Sequence, residues 1–288
     1  GLTEAALLTM GEPAADGVAS GERGDHMRSK DVFGVFNILI VLGVLGAISY
    51  AALVLQPEEY DPETLCLAGE TPPHVALVID KTDFYTPEQA ERIEALVLAS
   101  RDRLRISEKL SLYELDARGE LVNTNGFALC NPGRGEQINP LYRNPQRVEA
   151  RYQSLFEAPL QSALADLVEP KESPASPIVE ALARLAVEDD FDRDTPGRTV
   201  ILVSDMLQNS RLFSVYGRAR GDLAGRLPDP RRVAAAVEAE YGDALYGVTI
   251  EIHLIPRRGW ERDQETVLQA YWAEVFRQLG VRDRWTAL

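Results

Sequence analysis

"HVALVIDKTDFYTPEQ", residues 74–89, is the stretch on which the reading of the chain turns. Val75 to Ile79 is an unbroken apolar run, the pattern of a strand buried on both faces of a parallel sheet. It stops abruptly at Asp80-Lys81-Thr82-Asp83. A helix start follows: Thr86-Pro87-Glu88-Gln89 has the Thr-x-x-Gln spacing of a capping box, with Pro at the first helical position. A buried strand therefore ends in two carboxylates and a hydroxyl just ahead of a helix. "TVILVSD", residues 199–205, repeats the device and ends in Asp205.

Between and beyond these runs, strand and helix patterns alternate. Residues 86–104 predict an amphipathic helix with Ile93, Leu96, Val97 and Leu104 on one side. Residues 109–130 predict two strands joined near Arg118-Gly119, an antiparallel pair. Residues 131–145 read as loop, and 145–168 as helix, interrupted by Pro159. "SPASPIVEALARLAVE" (173–188) starts a further helix at Ser176, and residues 209–230 are loop-rich. "RRVAAAVEAEY" is helical. "VTIEIHLI" (248–255) alternates as a strand near a sheet edge does. The helix over 263–280 stops at Gly280. Such alternation predicts an α/β fold: a doubly wound, mostly parallel sheet with helices on both faces, over residues 74–288.

Upstream, residues 32–55 carry no charge and only one strongly polar residue, Asn37. At about 1.5 Å per residue a helix of this length exceeds the ~30 Å hydrocarbon core of a bilayer. The run is too long for a cleavable signal peptide and reads as a transmembrane signal anchor. Arg23, Arg28 and Lys30 precede it, and no Lys or Arg follows until Lys81. The positive-inside rule then puts the N-terminus in the cytoplasm, and the domain beyond it in the periplasm or another extracytoplasmic space. In a bacterial cell this is the inner membrane. Gly43, Ala47 and Ala51 form a small-xxx-small face able to pack on another membrane helix. Residues 1–31 read as a disordered cytoplasmic tail and 56–73, acidic and Pro-rich, as a linker.

Composition narrows the function classes. The chain has 288 residues, 45% hydrophobic and 26% charged, enough for one large globular domain. A net charge of −15 argues against a nucleic-acid partner. No CxxC or HExxH spacing suggests a zinc site. The two cysteines, Cys66 and Cys130, both fall on the extracytoplasmic side, where disulfides persist, and are expected to pair.

In open α/β sheets ligands bind outside the carboxyl ends of the strands. Asp80 and Asp205 would both sit on that rim, Thr82 beside the first and Ser176 at the start of a helix that opens there. Two carboxylates and two hydroxyls form an oxygen-only set of the kind that hard cations take. Asp-x-Thr after the first strand, a hydroxyl ahead of "SPIVEAL" and "VSD" at the end of a later strand resemble the von Willebrand factor A domain, or integrin I-domain fold, over residues 74–280. The resemblance implies a metal-ion-dependent adhesion site at Asp80, Thr82, Ser176 and Asp205. Such a site binds Mg²⁺ or Mn²⁺ and leaves one coordination position for an acidic group of a partner protein. The final Ser of the family's Asp-x-Ser-x-Ser falls on Phe84, which cannot ligate; either Asp83 substitutes for it or the site is weak or lost.

Other readings of the same residues remain open. Strand-terminal Asp residues also serve as caps and turn residues. Haloacid-dehalogenase-type phosphatases resemble Asp-x-Asp-x-Thr, but Thr82 occupies the place of the second Asp, so the acid/base partner is misplaced. No GxSxG suggests a Ser-His-Asp hydrolase, and His74 and His253 read as structural. The expectation is a membrane-anchored, non-enzymatic protein-binding module, a scaffold or adhesion element of an envelope complex. Its alternatives are a metal-dependent hydrolase and a structural module with an inactive site. Arg211, Arg218, Arg220, Arg226, Arg231 and Arg232 follow Asp205 and could draw an acidic partner to the rim.

Overall fold

The computed structural model describes residues 26–54, 59–82, 85–115, 120–141, 143–167, 175–217 and 223–288. Residues 1–25, most of the expected tail, lie outside it, as do Asp83, Phe84, the 118–119 turn, Arg218 and Arg220. The chain divides into two units, one up to Pro57 and the other Glu58–Leu288.

In the first unit helix α1 spans His26–Val54, and its Phe33–Ala52 stretch is long and apolar enough to cross a membrane.

In the second unit β1 is His74–Asp80, β2 Lys109–Leu115, β3 Leu121–Cys130, β4 Arg198–Ser204, β5 Thr249–Leu254 and β6 Arg282–Ala287. They form a six-stranded sheet in the order β3-β2-β1-β4-β5-β6. Only β3 runs antiparallel. The doubly wound α/β class expected from the sequence is what forms. The helices are α2 (Pro87–Arg103), α3 (Pro145–Tyr152), α4 (Ala158–Leu167), α5 (Ile178–Leu185), α6 (Leu223–Arg226), α7 (Pro230–Tyr241), α8 (Glu261–Asp263) and α9 (Gln269–Gln278).

Period-2 alternation divides the central strands between two cores. Ala76 and Val78 of β1, Val200 and Leu202 of β4, and Ile250 and Ile252 of β5 pack against Leu182, Val233, Trp272 and Phe276 of α5, α7 and α9. Leu77, Ile79, Ile201 and Val203 face the other way, onto Ile93 and Val97 of α2 and Leu160 and Leu164 of α4. Each large apolar side chain so buried contributes roughly 1.5–3 kcal/mol. The sheet is therefore covered on both faces, which leaves its ends as the surfaces where polar groups collect.

Local signals appear where the sequence places them. Thr86 caps α2, with Gln89 completing the capping box. Gly280 ends the last helix at φ 69°. Pro159 does not break its helix outright. The preceding Gln153–Glu157 turn is widened to π geometry, and the Ala158 N–H reaches Gln153 O. A widened turn absorbs the missing proline donor without splitting the helix.

Strand β5 lies next to the edge, as its alternation suggests, and the edge itself is β6, "RDRWTA", a strand the sequence reading does not include, with Ile252 opposite Trp285. The segment ahead of β1 differs from the sequence reading. Within the stretch read as linker, Tyr60 bridges Leu67, Leu65 is buried, and Cys66 is bonded to Cys130 at the end of β3. The expected disulfide thus fastens this segment to the domain, with a Cα–Cα distance of 4.9 Å.

Candidate functional site

The strand order reverses direction between β1 and β4: the chain winds from β1 outward through β2 and β3, then returns to β4 and winds the other way. The carboxyl ends of these two strands flank the topological switch point, where open α/β sheets bind their ligands. Asp80 is the last residue of β1, and Asp205 follows Ser204, the last of β4.

The four residues singled out from the sequence meet at this rim. Thr82 Oγ1 donates to Asp80 Oδ1 at 2.6 Å, and the Thr82 backbone N–H reaches the same oxygen at 3.2 Å. Ser176 Oγ donates to Asp80 Oδ2 at 3.0 Å. Ser176 does not itself cap α5. It lies one residue ahead of Pro177 and is held by backbone bonds exchanged with Asn209. Asp205 Oδ1 accepts from the Leu207 N–H at 2.9 Å, closing a turn in which Met206 takes a left-handed φ of 60°. Trp272 Nε1 donates to the Met206 carbonyl at 3.0 Å and pins that turn to the core.

Three further residues complete the cluster and were not singled out from the sequence. Ser204 Oγ donates to Asp80 Oδ2 at 2.9 Å. Arg257 Nε donates to Asp205 Oδ2 at 2.7 Å. Gln264 Nε2 donates to the carbonyls of Asp205 (2.8 Å) and Ile255 (2.9 Å). Ser204 carries a weak signal, being a hydroxyl in an otherwise apolar strand. Arg257 carries none, since one arginine in "PRRGWERD" looks like another.

Electrostatics follow from burial. Asp80 and Asp205 are each only 3% exposed. Burial first, and then the negative charge of Asp80, push the Asp205 carboxyl up to about 7, against the pull of Arg257. Beside the rim, between α5 and α7, lies a cleft of about 530 Å³ lined by Pro177, Glu180, Arg184, Arg211 and Tyr241 among others. Tyr216 packs edge-on against Trp260 at 5.6 Å, joining the loop after β4 to the loop after β5.

A divalent ion does not fit this set as arranged. Mg²⁺ demands near-octahedral oxygen coordination, commonly with one or two carboxylates. Asp80 accepts two hydrogen bonds on each oxygen, all from its own neighbours, which saturates a carboxylate. Asp205 Oδ2 is engaged by a guanidinium, which repels a second cation. Of the residues implied as Mg²⁺ or Mn²⁺ ligands, Asp80, Thr82 and Ser176 share one hydrogen-bonded set, while Asp205, near enough to feel the Asp80 charge, is held in a second by Arg257.

His74 is structural in geometry. His74 Nδ1 is 2.8 Å from the Asp190 carbonyl and Nε2 2.6 Å from Ser111 Oγ. Burial drives its pKa down to about 4.

No family model and no curated protein matches the sequence. Among solved structures the domain is similar to the conserved hypothetical protein BatB from Bacteroides thetaiotaomicron. Identity there is 13%, covering 75% of this chain and 90% of that one, with a TM-score of 0.36. An aerotolerance-related membrane protein from Bacteroides fragilis gives 14%, 75%, 91% and 0.34. The human COPII-coat protein Sec24c gives 14%, 75%, 30% and 0.39. Likenesses at these scores are too loose to bear on function.

Proposed function

We propose that this chain is a membrane-anchored protein-binding module of the von Willebrand factor A type, serving as a scaffold or adhesion element outside the cytoplasm. The observation that carries this reading is the polar cluster at the switch point between β1 and β4. Buried hydroxyls and carboxylates there fix the shape of loops that carry exposed aromatic and basic residues. Tyr and Arg on a rigid base are the usual anchors of protein interfaces. Arg211 and Arg258, both exposed, lie in the loops that Tyr216 and Trp260 join, and they favour an acidic group on the partner.

No catalytic step belongs to this reading. The Asp205 carboxyl has the displaced pKa of an acid/base group, but it is buried and occupied by Arg257. The anchor is α1, with the N-terminus cytoplasmic and the domain extracytoplasmic; in a bacterium the membrane is the inner one. Support comes from the basic flank before the span and from the disulfide beyond it.

Site-specific photo-crosslinking in native membranes tests the proposal. A probe at Tyr216 is expected to give a discrete adduct that competes with an acidic peptide. A probe at Val187, exposed beyond the far end of α5, is expected to give none. Equal labelling from both positions, or none from Tyr216, Arg211 and Arg258 alike, would sink the rim as an interface.

A further inference from the structure

We infer that Arg257 is the resident cation of this rim, so that the carboxylate pair is complete without a metal ion. The inference rests on the reading of the rim as the functional end of the domain.

Two carboxylates buried at adjacent strand ends need positive charge nearby, because neither solvent nor each other can stabilise them. The sequence pattern supplies that charge as a divalent ion. The structure supplies it as a guanidinium, at 2.7 Å from Asp205 Oδ2. Arg257 comes from the loop that follows β5, and β5 lies beside β4, so topology delivers it to the end of the strand that Asp205 follows.

A chance surface ion pair would lack support, whereas this one is built in. Gln264, itself 1% exposed, accepts the backbone N–H of Arg257 on Oε1 at 2.9 Å. With its amide nitrogen the same side chain holds the backbone carbonyls of Asp205 and Ile255. One buried glutamine thus fixes the backbone of both members of the pair relative to each other. The Arg257 side chain is 16% exposed and that of Asp205 4%, so the pair is nearly desolvated.

A guanidinium stays charged across the physiological range and cannot be chelated. A rim built on it keeps its shape whatever the divalent-ion concentration. Its loops are therefore poised permanently, where a metal-dependent rim is poised only when loaded.

Full-length protein in detergent tests this with Mn²⁺ and Mg²⁺ as probes. The wild type is expected to show no saturable Mn²⁺ binding by electron paramagnetic resonance. Its melting midpoint should be the same in EDTA and in millimolar Mg²⁺. Arg257→Gln should lower the midpoint by about 5–10 °C. Adding Asp205→Asn to Arg257→Gln should recover most of that loss, because a neutral amide no longer calls for a cation. Saturable Mn²⁺ binding by the wild type that Asp205→Asn removes would overturn the inference, even if Arg257→Gln fails to fold. So would an Arg257→Gln protein as stable as the wild type. Either result leaves the crosslinking test of the rim standing, so the two readings fail separately.

Discussion

Lys81 Nζ stands 2.9 Å from Glu114 Oε2, with side-chain exposures of 0% and 9%. The same ammonium donates to the Asp166 carbonyl at 2.8 Å, tying the ends of β1 and β2 to the C-terminal end of α4. It neighbours Asp80 in sequence but serves a different partner set. Removing one member of such a pair leaves the other charge buried and alone. Lys81→Met is expected to cost about 3–5 kcal/mol in chemical denaturation. Lys81→Met combined with Glu114→Leu should recover most of it, because two apolar groups leave no orphan charge. A double variant as weak as the single would show that packing, and not charge, sets the cost.

Cys66 and Cys130 are 64 residues apart. Closing a loop of that length restricts the unfolded chain by about 4 kcal/mol on the chain-entropy model. The double variant Cys66→Ser/Cys130→Ser should lose stability of that order. Proteolysis under native conditions should then cut first in residues 59–73, since the buried Leu65, the Cys130 N–H bond to the Thr64 carbonyl and Arg151 over the Tyr60 ring are a light attachment for a segment of that length. Cleavage elsewhere, with that segment still protected, would place its attachment in other contacts.

His74 should make the domain sensitive to acid. Its folded-state pKa of about 4 lies below the ordinary 6.5, so the unfolded chain binds more protons between those values. Stability is fully present above about pH 6.5 and is lost as pH falls toward 4, by about 3 kcal/mol in total. Asp190 and Lys109 face the ring with opposite charges, and burial outweighs both. Asp205, held up to about 7, acts in the opposite sense over much of this range, so the informative quantity is the difference between variants. His74→Asn should give a flatter acid limb than wild type when denaturation midpoints are compared across that window. Parallel limbs would exonerate the histidine.

Topology has a direct readout. A reporter active only outside the cytoplasm, fused after Leu288, should be active. Exchanging Arg28 and Lys30 for Glu should reduce that signal, because the basic flank sets the orientation. A cytoplasmic reporter that works in its place would reverse the proposed location.

Much of this protein is legible in its sequence because the relevant signals are local. Two apolar runs ending in aspartate place β1 and β4 at the centre of a parallel sheet. Thr86 and Gln89 mark a helix start three residues apart. Two cysteines on one side of a membrane span leave a single intramolecular pairing. Hydropathy alone identifies a helix able to cross a bilayer. Each of these depends on residues a few positions apart, or on simple counting.

What only the tertiary structure decided depends on neighbours far apart in the chain. "RDRWTA" has too many charges to read as a strand, yet β6 forms because β5 offers it a parallel edge and Trp285 packs against the core beside it. The rim aspartates were visible, and Thr82 and Ser176 with them, but Ser204 and Arg257 were not. Ser204 reaches Asp80 across 124 positions, and Arg257 reaches Asp205 across 52. No periodicity encodes such pairings: strand order brings the loop after β5 beside the end of β4, where the Arg257 guanidinium satisfies a desolvated carboxylate.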